Sequence, residues 1–378
     1  MPRLIVIVLA LFNLFFVSLV CAQPLSTIDL RDNATLSLGS YIEYFEDREG
    51  LRSFEEVKNL SSSAWLLSNV NTPSFGYTDS TYWFRFRLLN HLPVTQNKII
   101  AIQYALLDRI DFFQVEKGKI VKRVLTGDTF PFSQRPIRHR DFLFPLSLEQ
   151  SEPVDIYFRI RTEGSTQLPI TLWEAQEFTW ADQDEQFVKT LYYGLMLALL
   201  VYNLFLFISI RERPYLYYVG LIASVLVLMS GMHGFLFQYL YPQSPAIHNM
   251  SMLIAVPSAV LFAAVFSSYF LRLESVAPRL NSLLNAIVVV CLLCILGAFF
   301  LPYNTSTRIS VFLAIPASFI IMFTGPYAWS KGQTSARYFT LSWVFLLTGA
   351  VIFASSKFGF IPRNMFTEHA FNWGSALE

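Results

Sequence analysis

Two groups of polar and aromatic residues in the first half of the chain have side chains suited to binding a small molecule. In residues 81–88, alternation places Trp83, Arg85 and Arg87 on one face of a strand and apolar side chains on the other. An indole ring can stack on a sugar while neighbouring guanidinium groups donate hydrogen bonds to it. The second group is a short polar cluster whose guanidinium groups can clamp a carboxylate or hydroxyl groups: Arg135, Arg138, His139, Arg140 and Asp141.

The same residues also fit a structural role. Arginines on the wet face of a sheet can pair with nearby carboxylates or dock that face on a partner, and neither use involves a ligand. The first half contains no serine elbow, no His pair at metal-ligand spacing and no Gly-rich phosphate loop. We therefore expect no catalytic residue, metal or cofactor, and both interpretations of the two polar groups stay open.

Patterns of period two recur through residues 23–180 and predict many short strands with little helix. Lys117-Gly118 is expected to form a hairpin turn, and Ser53 with Glu56 matches the capping box of one short helix. Such elements predict an antiparallel β-sandwich, in which each strand has one face in the core and the other in water. The main candidate strands are 81–88, 99–104, 110–116, 119–125, 140–144, 156–161 and 169–173.

The first 22 residues have the features of a secretory signal peptide. Arg3 provides a positive charge, residues 4–19 an apolar segment, and Val20-Cys21-Ala22 a cleavage site of small residues. An acylated Cys21 and an uncleaved anchor are the alternatives. The exported part after cleavage contains no cysteine, so it needs a hydrophobic core in place of disulfides.

Charged residues become sparse in the second half of the chain. Residues 23–187 contain 17 Lys and Arg and 23 Asp and Glu, whereas residues 190–378 contain 9 and 4. A helical bundle in lipid requires this sparsity, and nothing is basic enough to indicate a nucleic-acid partner. Apolar runs of about 20 residues can cross about 30 Å of hydrocarbon. They predict spans near 189–210, 215–239, 249–271, 281–301, 309–329 and 338–357, with a seventh beginning near 366.

The connections between these spans differ in positive charge. Residues 211–214, 272–280 and 330–337 contain six Lys and Arg, whereas the alternate connections contain only Arg308 and Arg363. The positive-inside rule therefore places the first three connections in the cytoplasm and the sandwich outside. Polar side chains within the spans are expected to form interhelical hydrogen bonds or to belong to a ligand or switching site. They are Asn203, His233 and Asn249.

Several segments resemble one known family. YWFRFRLLN at 82–90, LLDRIDFFQ at 106–114, the run at 127–148 and IYFRIRTEGSTQLPITLW at 156–173 are similar to the type 2 periplasmic sensor domain of bacterial seven-transmembrane receptors with diverse intracellular signalling modules. IPRNMFTEHAFNWGSALE at 361–378 resembles that family's entry into its last span. The resemblance implies a jelly-roll sensor that binds a carbohydrate or related small molecule. It also implies a homodimer in the bacterial inner membrane and a cytoplasmic diguanylate cyclase or histidine kinase as effector.

The predicted organisation is therefore a signal peptide at 1–22, a periplasmic sandwich at 23–180 and a transmembrane domain at 181–378 whose seventh span is cut short. We expect a receptor whose effector lies outside this chain. The short acidic link from about residue 173 to 188 suits mechanical coupling if it is helical. A transporter or channel with an accessory domain is the alternative, which predicts intramembrane charge and internal repeats that the sequence lacks.

Overall fold

A computed structural model describes residues 25–31, 35–357, 360–362 and 365–377. The predicted signal peptide lies outside the described residues. Within them, strands occupy the region from 27 to 174 and long helices follow from 175 onward. The predicted fold class, a β-sandwich followed by a helical transmembrane bundle, is confirmed.

The sandwich contains two main sheets. Its strands are β1 (Thr27–Leu30), β2 (Leu36–Ser37), β3 (Glu43–Asp47), β4 (Leu66–Leu67), β5 (Ser74–Tyr77), β6 (Thr81–Asn90), β7 (Gln96–Ile102), β8 (Arg109–Glu116), β9 (Lys119–Thr126), β10 (Phe142–Leu148), β11 (Pro153–Arg161), β12 (Ser165–Gln167) and β13 (Ile170–Glu174). The large sheet has the order β4-β3-β6-β11-β8-β9, with β1 added parallel to β6. The small sheet has the order β10-β7-β13-β2, and β5 pairs with β12 separately.

The main core lies between these two sheets. Phe84 on β6 is paired with Phe158 on β11, and both side chains are fully buried. Phe144 from the small sheet packs against Phe112 and Phe158 from the large sheet, with ring centroids 4.8 and 5.3 Å apart. The apolar residues of the alternating pattern therefore face each other across the sandwich, as the period of two predicts.

The opposite face of the large sheet is also covered, and this differs from the sequence prediction. Helix α1 (Phe54–Lys58) lies over it and contributes Phe54 and Val57 to a second buried cluster, which includes Trp65, Trp83, Phe113 and Tyr157. The prediction that Trp83 and Arg85 face water is therefore wrong. They are 1% and 6% exposed, because the segment between β3 and β4 folds back over the sheet.

Two local sequence signals have their predicted structures. The side chain of Ser53 accepts a hydrogen bond from the Glu56 N–H, and the Glu56 carboxylate accepts one from the Ser53 N–H, which completes the capping box of α1. Lys117 and Gly118 connect β8 to β9 with φ of 49° and 79°. Positive φ at both positions matches the twist of a two-residue hairpin.

The second half consists of helices α2 (Ala175–Ile210), α3 (Arg213–Met232), α4 (Pro245–Phe270), α5 (Leu273–Val276), α6 (Pro278–Gly297), α7 (Tyr303–Ser330), α8 (Ala336–Lys357) and α9 (Met365–Leu377). Among the described residues, six of them are long and apolar enough to cross a membrane: α2, α3, α4, α6, α7 and α8. The predicted second span is interrupted, because α3 ends at Met232 and a π-helical turn, Leu236–Leu240, follows. Gly234 lies between them with φ of 77°.

The second buried cluster can be tested by truncating its central indole. Trp83→Ala should lower the free energy of unfolding of the sandwich by about 3 to 5 kcal/mol. The substitution removes the buried contacts of the indole and leaves an apolar cavity between α1 and the large sheet. Pulse proteolysis across a urea gradient, on protein in detergent micelles, measures this change. Tyr41→Ala is the control, because Tyr41 is 44% exposed and its truncation should cost less than about 1 kcal/mol. Equal losses from the two variants would contradict a second core.

Candidate functional site: the junction of sandwich and bundle

Arg140 connects the sandwich to the helical half of the chain. Its guanidinium Nη2 lies 2.7 Å from Asp182 Oδ1 and 2.9 Å from Glu185 Oε2, both on α2. The same guanidinium lies over the ring of Phe235, 5.4 Å from its centroid, just after α3. The side chain is only 1% exposed. Because a buried guanidinium is costly without its anionic partners, this residue holds three parts of the fold together.

His139 strengthens the same contact. Its Nδ1 accepts a hydrogen bond from the Asp141 N–H at 3.0 Å, so in the neutral ring Nε2 carries the proton and donates to Asp182 Oδ1, also at 3.0 Å. The imidazole packs edge-on against Phe178 of α2, with centroids 5.3 Å apart. Neighbouring residues of one loop, His139 and Arg140, therefore bind a single carboxylate of α2.

The partner residues lie on one face of α2. Asp182, Glu185 and Lys189 are spaced by three and four residues, which places them one above another on a helix. Glu185 also pairs with Lys189. The helix begins directly after β13 and continues without a break for 36 residues, or about 54 Å. A displacement of the loop that carries His139 and Arg140 would therefore act on a continuous helix that enters the bundle.

Arg135 forms a second contact between the two halves. It donates from Nη1 to the carbonyl groups of His139 and Arg140, which fixes the loop that carries them. Its guanidinium lies over Phe142 at 4.1 Å and over Phe237, in the π-helical turn, at 5.8 Å. The Phe132 N–H donates to the Pro242 carbonyl at 2.8 Å beside it. Burial lowers the pKa of Arg135 to about 10.

Two buried carboxyl groups, Asp108 and Asp128, lie beside this contact. Burial, followed by the neighbouring Asp108, raises the pKa of Asp128 well above its usual range. Burial raises the pKa of Asp108 as well, although its Oδ2 accepts a hydrogen bond from the Glu163 N–H at 2.7 Å. Two close carboxyl groups favour sharing one proton. Tyr303, at the start of α7, lies near both.

A polar cavity of about 560 Å³ lies between the sandwich and the bundle. Strand β13 provides Trp173 to its wall, and the loop before β10 provides Asp141. The helices provide Lys189 from α2, His233 from the end of α3 and His369 from α9. The sandwich and four helices (α2, α3, α8 and α9) border this one space, so any change in its contents acts on both halves of the protein.

The structure separates the two groups of predicted site residues. Trp83 is enclosed by Phe54 and Phe113, so its ring has no free face for a sugar. Arg85 pairs with Glu43 at 2.7 Å and lies over Trp65. Arg87 pairs through Nη2 with Asp155 at 2.9 Å. Trp83, Arg85 and Arg87 are therefore packed or ion-paired in the way that the structural interpretation predicts.

The second group lies at the junction. Arg135, His139 and Asp141 are buried there together with Arg140, whereas Arg138 is exposed. Thus four of the five residues in this cluster contribute to one site, although their partners are the helix α2 and the bundle. Whether this group also binds a ligand stays a prediction.

The polar residues predicted within the spans have different surroundings. His233 caps α3, and its Nδ1 lies 2.6 Å from the Tyr193 hydroxyl. Its Nε2 lies 3.4 Å from Asn372 of α9. Asn203 donates to the Leu199 carbonyl of its own helix, and Asn249 is half-buried in the first turns of α4.

Several residues of the site were not predicted. Asp182 and Glu185 were recognised only as part of an acidic link, although their helical spacing with Lys189 would have placed them on one face. His248 is 1% exposed and stacks on Phe237, with ring centroids 5.0 Å apart. Asp108 and Asp128 lie in turns flanking β8 and β9 and have no sequence signal that distinguishes them from surface carboxylates.

The chain has a β-sandwich that buried ion pairs join to six helices of membrane-spanning length, which is the arrangement of a multi-pass membrane protein. Residues 185–378 match the family model "7TM diverse intracellular signalling", and residues 39–174 match "7TMR-DISM extracellular 2". The first match covers just over half of the chain, and the chain belongs to the family of seven-transmembrane receptors with diverse intracellular signalling. The predicted resemblance is confirmed. No curated protein matches the chain.

The junction ion pairs can be tested with two arginines of the same loop. Arg140→Met leaves Asp182 and Glu185 without their guanidinium, so hydrogen exchange in residues 178–190 should rise on the order of tenfold. Mass spectrometry of protein in nanodiscs measures this exchange. Arg138→Met is the matched control, because Arg138 is exposed and its loss should leave exchange in that segment unchanged. Identical exchange in both variants would show that Arg140 does not hold α2.

The carboxyl pair predicts a specific dependence of stability on pH. Because the folded protein holds a proton on Asp128 at higher pH than the unfolded chain does, the contribution of this carboxyl group to the free energy of unfolding falls as the pH rises above about 4. Asp128→Asn should remove this contribution and raise the melting temperature relative to the wild type at pH 7, with little difference at pH 4. Asp184→Asn, at an exposed position, is the control and should show no difference from the wild type that grows with pH. A difference between Asp128→Asn and the wild type that is the same at pH 4 and pH 7 would refute a raised pKa at Asp128.

Proposed function

We propose that this chain is the sensing and relaying part of a bacterial receptor, with its sandwich in the periplasm and its bundle in the inner membrane. The extracellular type of the matched sandwich domain supports this placement. The excess of Lys and Arg in the connections after α2, α4 and α7 supports it independently. The ligand is a small periplasmic molecule, and the carbohydrate class implied by the family resemblance is the first to consider.

The observation that carries this proposal is the unbroken helix α2. It joins β13 directly to the bundle, and its Asp182 and Glu185 are held by the sandwich residues His139 and Arg140. Binding at or near the sandwich that changes these pairs would tilt or rotate α2 as a rigid body. Such repacking between two arrangements is the usual way in which a small local change reaches a distant site.

The junction also reaches the last described helix. The Tyr192 hydroxyl of α2 lies 2.9 Å from the Ser375 hydroxyl of α9, and His233 approaches Asn372 on the same helix. Movement of α2 or of the end of α3 therefore acts directly on α9. In the proposed receptor, α9 leads to a cytoplasmic diguanylate cyclase or histidine kinase, and two copies of the chain act together.

Additional contacts limit how the sandwich can move. Asp79 Oδ1 accepts hydrogen bonds from Asn304 at 2.6 Å and Arg308 at 3.2 Å, both on α7. Gln167 donates to the Ser356 carbonyl of α8 at 3.1 Å. These contacts lie on other helices than the Arg140 clamp. A rocking motion of the sandwich would therefore exchange contacts on one side for contacts on the other.

Rigid coupling through α2 can be tested without knowing the ligand. In a receptor that carries its effector domain, Arg140→Met should change basal effector output about fivefold or more. Inserting Gly-Ser-Gly-Ser after the exposed Phe187 should abolish that dependence on residue 140, because the inserted segment interrupts α2 between the residues that Arg140 holds and the bundle. The same insertion between Lys117 and Gly118, in the exposed hairpin, is the control and should preserve it. Output is measured as cyclic dinucleotide production or phosphotransfer. An Arg140→Met effect that survives the insertion after Phe187 would contradict mechanical relay through α2.

A further inference from the structure

We propose that the junction cavity binds a small zwitterion of the amino-acid class, with its ammonium group at Asp141 and its carboxylate at Lys189. The inference rests on the proposed function and names where the sensed molecule binds. It assigns that molecule to a class other than the carbohydrates that the family resemblance implies. It rests on the hydrogen-bonding capacity that two buried, oppositely charged side chains leave unused in one polar space.

Asp141 provides the anionic half. The residue is 8% exposed and lines the cavity. Among the described residues, no side chain donates a hydrogen bond to its carboxylate. His139 Nδ1 lies 3.9 Å from Oδ2, but it already accepts the Asp141 N–H and so does not donate to the carboxylate. Burial raises the pKa of this carboxyl, and the nearby charges of Arg140 and Lys189 only partly offset that effect. A ligand ammonium would supply the hydrogen-bond donors that the carboxylate lacks.

Lys189 provides the cationic half. It is also 8% exposed and lines the same cavity. Its ammonium group pairs with Glu185, one turn earlier on α2. An ammonium group has three donors, so Lys189 retains capacity to donate to a second carboxylate. Asp141 and Lys189 are close enough for each charge to act on the other.

The charge around the cavity favours a ligand with no net charge. Asp141 and Glu185 both line the cavity, so a free anion would meet their repulsion, whereas a free cation would meet the repulsion of Lys189. A zwitterion satisfies Asp141 and Lys189 together. A neutral polyol would donate to Asp141 and accept from Lys189 but would neutralise neither charge, so a comparison of amino acids with monosaccharides separates the two ligand classes.

The remaining lining suits a compact molecule with a short side chain. Trp173 provides an aromatic wall, and Thr72 and Thr171 line the cavity with uncharged polar residues. His233 and His369 close the opposite side, where His233 also contacts Tyr193 and Asn372. A ligand held between Asp141 and Lys189 would bind the sandwich to α2 and would lie against the helix ends that reach α9.

The test measures binding to the whole chain in nanodiscs, with an equimolar mixture of the standard L-amino acids at about 1 mM each as the probe. Bound ligand should raise the melting temperature by about 2 to 4 °C. Asp141→Asn and Lys189→Met should each abolish the rise. Thr72→Trp should also abolish it by filling the cavity without altering an ion pair. Glu55→Gln and Lys119→Met are the matched controls at exposed positions and should keep it.

Three results would overturn the proposal. The first is no rise in melting temperature with the amino-acid mixture. The second is a rise that persists in Lys189→Met and Thr72→Trp, which remain informative even if Asp141→Asn fails to fold. The third is a rise given by a mixture of neutral monosaccharides and not by amino acids. Because binding is measured without effector output, ligand binding that leaves output unchanged would refute the relay and not the site.

Discussion

The attachment of the sandwich to the bundle depends on the buried guanidinium of Arg140. A guanidinium that is 1% exposed has lost its water, and the carboxylates of Asp182 and Glu185, together with the ring of Phe235, replace that solvation. Two of its nitrogens, Nε and Nη1, have no acceptor among the described residues. The contact therefore depends on the two carboxylates of α2 staying within reach of Nη2. In the proposed receptor, a displacement of α2 would weaken this contact.

The large sheet shows a different use of arginine. Its outer face is sealed by α1, so Arg85 and Arg87 satisfy carboxylates within the sheet region and hold the sandwich rigid. Because both faces of the large sheet are packed, the sandwich is expected to move as one rigid body. The loops that precede β10 and β13 are then the natural places for adjustment, and both border the junction cavity.

Much of this architecture could be predicted from the sequence, because periodicity and hydropathy report local burial. The alternation in 81–88 correctly placed Phe84 and Phe86 in the core, and the capping box correctly placed α1. The same alternation could not show that α1 would cover Trp83, since that depends on a segment about 30 residues away folding back. The polar cluster at 135–141 was found, but its partners were not. Helical spacing shows that Asp182 and Glu185 share a face and says nothing about what that face meets.

The break after α3 links these observations. A continuous second span would have placed His233 in the middle of a regular helix, whereas the positive φ of Gly234 ends α3 beneath the sandwich. A Cβ at Gly234 would lie 2.9 Å from the Ala105 side chain and 3.1 Å from the Arg140 carbonyl, so only glycine allows the loop to approach so closely. The turn presents Phe235 to Arg140 and Phe237 to Arg135, while His233 faces Tyr193 and Asn372. One residue that lacks a side chain thus brings His233, Phe235 and Phe237 to their partners. Since both guanidinium groups contact aromatic rings of this turn, the proposed relay would reach the end of α3 as well as α2. Both of these helices contact α9, through the pair His233 and Asn372 and the pair Tyr192 and Ser375.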